Sequence, residues 1–319
     1  MGKFDKKQQS VDSRVVQAIN DASLSRRSLI KLLSAGAVMS TGILGFPSLS
    51  LAAEKPTQGG KLRAAVSNAS ATDTLDPAKG SNSADYIRQF MFYSGLTELD
   101  KSMAVNNALA ESIDSSDGIT WQIKLRNGVL FHDGKPLTAD DVVWSLSRHK
   151  DPAVASNAFK LAEQFSVIKA VNPQEVQLVL SAANFDLPAM LATSPFLILQ
   201  QNTKDFTKGV GTGPFVCKSF TPGVSSVGTR NPHYWKPGLP YLDEVELLGV
   251  TDQAARVNAL MSGDLDIVST LSASDAKRLG NNDKFGVLES KSGEYTNLII
   301  RTDKQPGNHP DFVLAMKYL

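Results

Sequence analysis

One cysteine in 319 residues, Cys217, excludes an internal disulfide, a CxxC redox pair and a thiolate zinc domain. Histidine is scarce as well. The four present (His132, His149, His233, His309) have no i,i+4 or HExxH spacing, so no metal-ligand cluster is expected. No GxSxG elbow occurs, and no Ser/His/Asp set can be assembled. Neither sign of charge is in excess, with 33 Lys+Arg against 32 Asp+Glu, which argues against a nucleic-acid partner. Internal repeats and low-complexity tracts are absent too. The remainder is 42% apolar, enough chain and enough core-forming residues for about two domains of mixed structure.

The charge that is present is unevenly placed. Residues 1–52 hold seven basic residues and three aspartates. LSRRSLIK (24–31) is followed by an uncharged run from Leu32 to Ala53 diluted by Gly36, Gly42, Gly45 and several serines. A basic stretch, a weakly apolar stretch and the small-x-small ending Ser50-Leu51-Ala52 make a secretory leader. Arg26 and Arg27 resemble the twin-arginine signal, which implies export of a folded protein to the periplasm, with the leader covering 1–52. The alternative is a membrane anchor, which Pro47 and the Ser/Gly content weaken.

Downstream, KLRAAV (61–66), ITWQIKL (119–125) with VLFHDG, VIKAV-NPQ-EVQLVL (167–180), FLILQ, PFVCKSF, SSVGTR, EVELLGV, FGVLES and YTNLIIRT read as strands. YIRQFMFYSGL reads as a helix with Ile87, Phe90, Met91 and Leu96 inward, and Thr138 with Asp141 as a helix start. Thr251 reads as the cap of the helix DQAARVNALMSGD, and Pro310 as the opening of another with Phe312, Val313, Met316 and Leu319 on its apolar side. His132-Asp133-Gly134 is turn chemistry rather than a catalytic pair. Gly209-x-Gly211-x-Gly213 lacks a following helix and reads as a domain-crossing turn rather than a phosphate loop. Cys217, in a strand, reads as an inert thiol.

Ordered blocks carry a resemblance. ALAESIDSSDGITWQIKLRNGVLFHDGKPLTADDVVWSLSRHKDP (108–152) is accompanied, in sequence, by TLDP (74–77), GLTELD (95–100), GTGPF (211–215), RNPHYW (230–235), YLDEV (241–245) and LMSGDLDI (260–267). Together they resemble the dipeptide/oligopeptide-type extracellular solute-binding proteins of ABC importers, solute-binding protein family 5. That resemblance implies an α/β, two-lobed periplasmic-binding-protein-like fold of the class II, cluster C type, with mixed sheets and crossover segments. Similar proteins continue through most of a third domain and back to the first, so the C-terminal part is expected to be missing here.

The implied organisation is lobe I from 53–98 and 206–304, an inserted domain II at 99–205, and the start of a third domain at 305–319. The implied function is non-enzymatic capture of a small molecule, a peptide first, and delivery to permease subunits in the inner membrane by a monomer without a cofactor. A nickel chelate, haem, sugar or opine are the alternative ligands, and a twin-arginine-exported enzyme the alternative of another class. Carried over position by position, the resemblance implies ligand contacts at Ser81, Asn82 and Ser83 beside Gly80, at Asn157 and Phe159 around Ala158, and at Tyr295 and Asn297 around Thr296.

Overall fold

A computed structural model describes residues 56–289 and 299–318. Within residues 56–275, two hydrophobic cores form on two different sheets. The first sheet has the order β11-β1-β10-β9-β8, from β1 (Lys61–Val66), β8 (Phe215–Thr221), β9 (Ser225–Arg230), β10 (Glu244–Gly249) and β11 (Ile267–Val268). β1 runs parallel to both β10 and β11, while β8, β9 and β10 follow one another antiparallel. Alternation splits its faces. Leu62, Ala64, Val245 and Leu247 turn to the core, together with Met91 and Phe92 of the helix α1 (Ser83–Phe92). Lys61 pairs with Glu244 (3.0 Å) and Glu246 (2.6 Å), and Lys218 with Glu244 (3.0 Å), on the opposite, more accessible face.

The second sheet, β4-β5-β7-β6, is antiparallel throughout: β4 (Ala110–Asp114), β5 (Thr120–Leu125), β7 (Glu175–Leu180) and β6 (Phe165–Asn172). Trp121, Ile123 and Leu125 alternate inward and meet Val176, Leu178 and Leu180. α2 (Ala139–Ser147) covers them with Val142 and Leu146. The expected start at Thr138 forms, with the Asp141 carboxylate accepting the Thr138 N–H at 2.8 Å. A short helix α3 (Phe159–Ala162), a helix α4 (Leu187–Leu191) and a two-stranded ribbon of β2 (Thr97–Leu99) and β3 (Val105–Asn107) complete this part. The helix α5 (Gln253–Ser262) joins β10 to β11, and α6 (Ala273–Gly280) follows.

Among the described residues, 276–289 and 299–318 belong to a separate compact unit. There α7 (Pro310–Lys317) places Phe312 and Met316 on a cavity of about 370 Å³ shared with Ile299, Ile300 and Pro306. Among the described residues no helix is long and apolar enough to cross a membrane.

Several expectations change. ITWQIKL pairs with β4 and β7 rather than with VLFHDG, which makes only a bridge between Leu130 and Pro136. FLILQ is buried, yet it contributes a single bridge, Ser94 to Ile198, instead of a strand. Residues 285–289 of FGVLES are irregular, Ser290 and the first half of YTNLIIRT lie outside the described residues, and Asp252 rather than Thr251 caps α5, accepting the Ala255 N–H at 2.7 Å. α1 shows the largest change. Ile87 and Phe90 are 40% and 43% exposed, while Asp85, Arg88 and Gln89 are buried. Beside the expected Met91, the inward face takes in these polar side chains because each finds a partner, and hydropathy periodicity is blind to pairing.

Candidate functional site

In sheets with parallel strands, ligands collect beyond the carboxyl ends of those strands, where loops diverge and backbone groups are unpaired. β1, β10 and β11 end side by side here, and Ser67-Asn68, Val250-Thr251 and Ser269-Thr270 follow them. The Ser67 hydroxyl donates to Thr270 Oγ1 at 3.4 Å, linking residues 203 positions apart. Buried Arg256 binds the strand ends from below, donating to the carbonyls of Val250 (2.7 Å), Thr251 (2.9 Å) and Thr270 (3.2 Å). Thr270 sits at φ +56, a left-handed conformation that a non-glycine residue adopts only when held.

The N-terminus of α1 opens onto the same rim. Asn68 Nδ2 donates to Ser83 Oγ at 2.8 Å. Asn82 is the N-cap, its Oδ1 accepting the Asp85 N–H at 3.0 Å. Beyond Ser83 runs an apolar groove of about 440 Å³ lined by Tyr86, Ile87, Phe90, Met91 and Phe215. Polar groups at one end and an apolar wall at the other suit a small amphipathic ligand.

The loop before α1 also meets the second core. Asn157 donates its Nδ2 to the carbonyls of Lys79 (3.1 Å) and Gly80 (3.0 Å), and its N–H to the Ala78 carbonyl (2.9 Å). Lys79 answers with its Nζ on the Ala155 carbonyl at 3.2 Å. Arg148, at the end of α2, grips Asp76 of the TLDP block with both nitrogens (2.6 and 2.8 Å) and stacks on Phe206 and Trp144. Beside it, buried His149 packs on Phe196 with 5.1 Å between ring centres and has Ser156 Oγ 2.7 Å from Nδ1. Burial, with the neighbouring Arg148 charge, pulls its pKa down to about 4, so the ring is neutral.

Of the residues implied by the resemblance, the structure brings Asn157 against Gly80 and sets Ser81, Asn82 and Ser83 on the adjoining turn. Asn82 and Asn157 already spend their side chains on capping and loop tying. Ser81 and Ser83 are exposed, and Phe159 is half-buried at the start of α3. Tyr295 and Asn297, like Arg26 and Arg27, lie outside the described residues. Ser67, Asn68 and Thr270 went unread in the sequence. Their signal is a pair of small polar residues directly after β1 and after β11, which gains meaning only once those strands are known to be parallel.

The GxGxG segment is a junction. His132 N–H donates to the Gly211 carbonyl at 2.8 Å, Gly211 N–H lies 3.3 Å from Nδ1, and Nε2 is 3.1 Å from the Gly213 carbonyl. Nδ1 also lies 3.3 Å from the Gly209 carbonyl, so a ring protonated on Nε2 serves Gly213 and Gly211 while one protonated on Nδ1 serves Gly209, and burial lowers the His132 pKa. A Cβ at Gly211 would stand 2.2 Å from the Phe92 carbonyl oxygen, so backbone packs on backbone here. The Cys217 thiol is half-buried and pushed up to about 11 by burial, an unreactive state.

Comparisons with known proteins place this arrangement. The profile of "Bacterial extracellular solute-binding proteins, family 5 Middle" matches residues 104–319. Glutathione-binding protein GsiB of Pectobacterium atrosepticum is 29% identical over 262 residues, covering 80% of this chain and 51% of that protein. GsiB of Escherichia coli K12 is 29% identical over 252 residues, 77% of this chain and 49% of its own length. This chain therefore spans about half the length of the curated relatives it matches. Among solved structures, MoaA of A. tumefaciens R10 in complex with mannopinic acid is 28% identical with a TM-score of 0.72, covering 79% of this chain and 53% of that one. NikZ of Campylobacter jejuni in complex with Ni(L-His) is 25% identical with a TM-score of 0.71, over 81% and 52%. The fold class is thus that of the mixed α/β periplasmic binding proteins. Matched by the profile over more than half of its residues, the chain belongs to the bacterial extracellular solute-binding proteins of family 5.

Proposed function

We propose that this chain is the solute-capturing component of an ABC importer for peptide-class ligands. It takes up its ligand at the carboxyl ends of β1, β10 and β11 and releases it unaltered to permease subunits in the inner membrane. The observation that carries the reading is the polar rim of Ser67, Asn68, Ser83 and Thr270 beside the α1 N-terminus. The Ser83 end of that rim continues into the apolar groove. Short peptides offer a carboxylate for the helix end and amide groups for the hydroxyls, with a variable side chain for the groove. The glutathione-binding relatives favour a γ-linked tripeptide as the first ligand to try. A second reading, an opine or a histidine-chelated nickel ion, is favoured by the mannopinic acid and Ni(L-His) complexes.

The reading includes export by the twin-arginine leader of residues 1–52 to the periplasm, and a monomeric state. It assigns lobe I to 53–98 with 206–304, the inserted domain to 99–205, and the opening of a third domain to 305–319. Ser81, Ser83 and Phe159 are its accessible contacts.

Thermal unfolding of the purified chain tests it, with reduced glutathione, pooled di- and tripeptides, mannopinic acid and Ni(L-His) added separately. A bound ligand at 100 times its Kd adds about 2.7 kcal/mol. A rise in Tm with glutathione or peptides is expected. A rise with mannopinic acid or Ni(L-His) alone transfers the assignment to the second reading. Chemical conversion of any of them, followed by mass spectrometry, overturns the binding role.

A further inference from the structure

Asp73 and Arg88 form an ion pair sealed from water, with their side chains 0% exposed and Arg88 Nη1 2.5 Å from Asp73 Oδ2. The pair is expensive. Arg88 Nε and Nη2 are buried without a hydrogen-bond partner, and Phe220 stands over the guanidinium at 5.6 Å. Asp85, 3.7 Å from Arg88, adds a second carboxylate to the same pocket. Apolar groups in place of such a pair commonly leave stability unchanged or raise it, so stability alone is a poor account of this one.

Asp73 gathers several segments on one side of the sheet. Its Oδ1 accepts the Ser70 N–H (3.0 Å) and Asn82 Nδ2 (3.2 Å), and its Oδ2 accepts Arg88 Nη1 and the Gly223 N–H (3.3 Å). The loop after β1, the cap of α1, the second turn of α1 and the β8–β9 turn therefore converge on one carboxylate. The loop fits closely at two more places. A Cβ at Gly223 would stand 3.0 Å from the Ser70 carbonyl carbon, and one at Gly249 2.5 Å from Ala69 Cβ. Asn68 precedes this wedge directly, and its partner Ser83 follows the Asn82 cap.

We propose that the Asp73–Arg88 pair is the positioning element of the solute site, fixing the loop of residues 67–73 against α1 so that Asn68 and Ser83 are held together at the strand ends. The consequence for binding rests on the solute-capture reading above, whereas the positioning of the loop stands on the geometry alone. Neither residue touches the ligand in this scheme.

The test is the full chain carrying Asp73→Asn with Arg88→Met, which removes both charges together, and separately Arg88→Lys, which keeps the charge but loses the planar fork. Amide hydrogen exchange, Tm and calorimetric titration with reduced glutathione are read on each. The double variant is expected to keep its Tm within about 5 °C of the parent. Exchange at Ser70, Thr72, Asp73 and Thr74 should speed up at least tenfold while the amides of β5 and β7 are unchanged, and glutathione affinity should fall at least tenfold. Arg88→Lys should lie between parent and double variant, and it carries the same readouts should the double variant fail to fold. Unchanged loop exchange, or acceleration spread equally over both sheets, overturns the proposal. Faster loop exchange in a protein whose parent binds no glutathione supports the positioning and rejects glutathione as ligand.

Discussion

The two cores of residues 56–275 are built on different terms. The one on the antiparallel sheet draws on twice as many buried apolar residues as the other, and Phe165 and Phe196 meet in it edge to face at 5.8 Å. The one on the mixed sheet is smaller and bordered by buried charge: Asp73, Asp85 and Arg88 beneath the strand ends, and Asp76 held by Arg148 at the seam. Burying charge is costly, and on the proposed reading the charges of the mixed sheet hold the loops at its strand ends in place for a solute. One region supplies rigidity and the other supplies placed groups.

Damage to the antiparallel core should therefore cost the most stability. Phe196→Ala removes a fully buried ring from between Phe165 and His149, and a loss of about 4 kcal/mol is expected in urea unfolding. A loss below about 1 kcal/mol would mean that this region collapses around the hole, and the contrast with the mixed sheet would lose its basis.

His149 sharpens the comparison because it is the titratable group the apolar core keeps neutral. Its pKa falls from 6.5 to about 4 on folding, so the unfolded chain binds the extra proton between those values. Stability is consequently full above pH 6.5 and declines as pH drops towards 4, by about 3 kcal/mol for this group. Urea unfolding across that range checks it, with His149→Gln as the control. The difference between parent and variant should flatten above pH 6.5, and parallel curves would show that His149 is not the source.

Much of this was legible in the sequence, and the failures share a cause. The alternation in KLRAAV, ITWQIKL and EVELLGV fixed strands correctly because one face of each is apolar. Periodicity failed on α1, where Arg88 turns inward to Asp73 and leaves Ile87 and Phe90 outside, since partners contributed by distant segments are invisible to a local window. FLILQ failed because an unbroken apolar run specifies burial and says nothing about ladder pairing. Of the site, the motif blocks pointed to Gly80 and Asn157 only as separate ligand contacts, and their hydrogen bond to one another depends on a meeting of distant loops that no local pattern shows. Ser67 and Thr270 escaped because only parallel pairing of β1 with β11 makes them neighbours.

Asn68 gives the smallest stability effect and the most direct view of the rim. It is exposed, and its side chain's hydrogen bonds join it to Ser83. Asn68→Ala should change unfolding free energy by less than about 0.5 kcal/mol, as surface substitutions do. If it also donates to the solute, losing one good hydrogen bond weakens glutathione binding about tenfold. Phe196→Ala should behave in the opposite way, with large loss of stability and, in the fraction that remains folded, near-parental affinity. Calorimetric titration of both variants, each below its own Tm, separates the two. Equal affinities for Asn68→Ala and the parent would move the ligand off the strand ends, leaving the mixed sheet's buried charges without the purpose assigned to them.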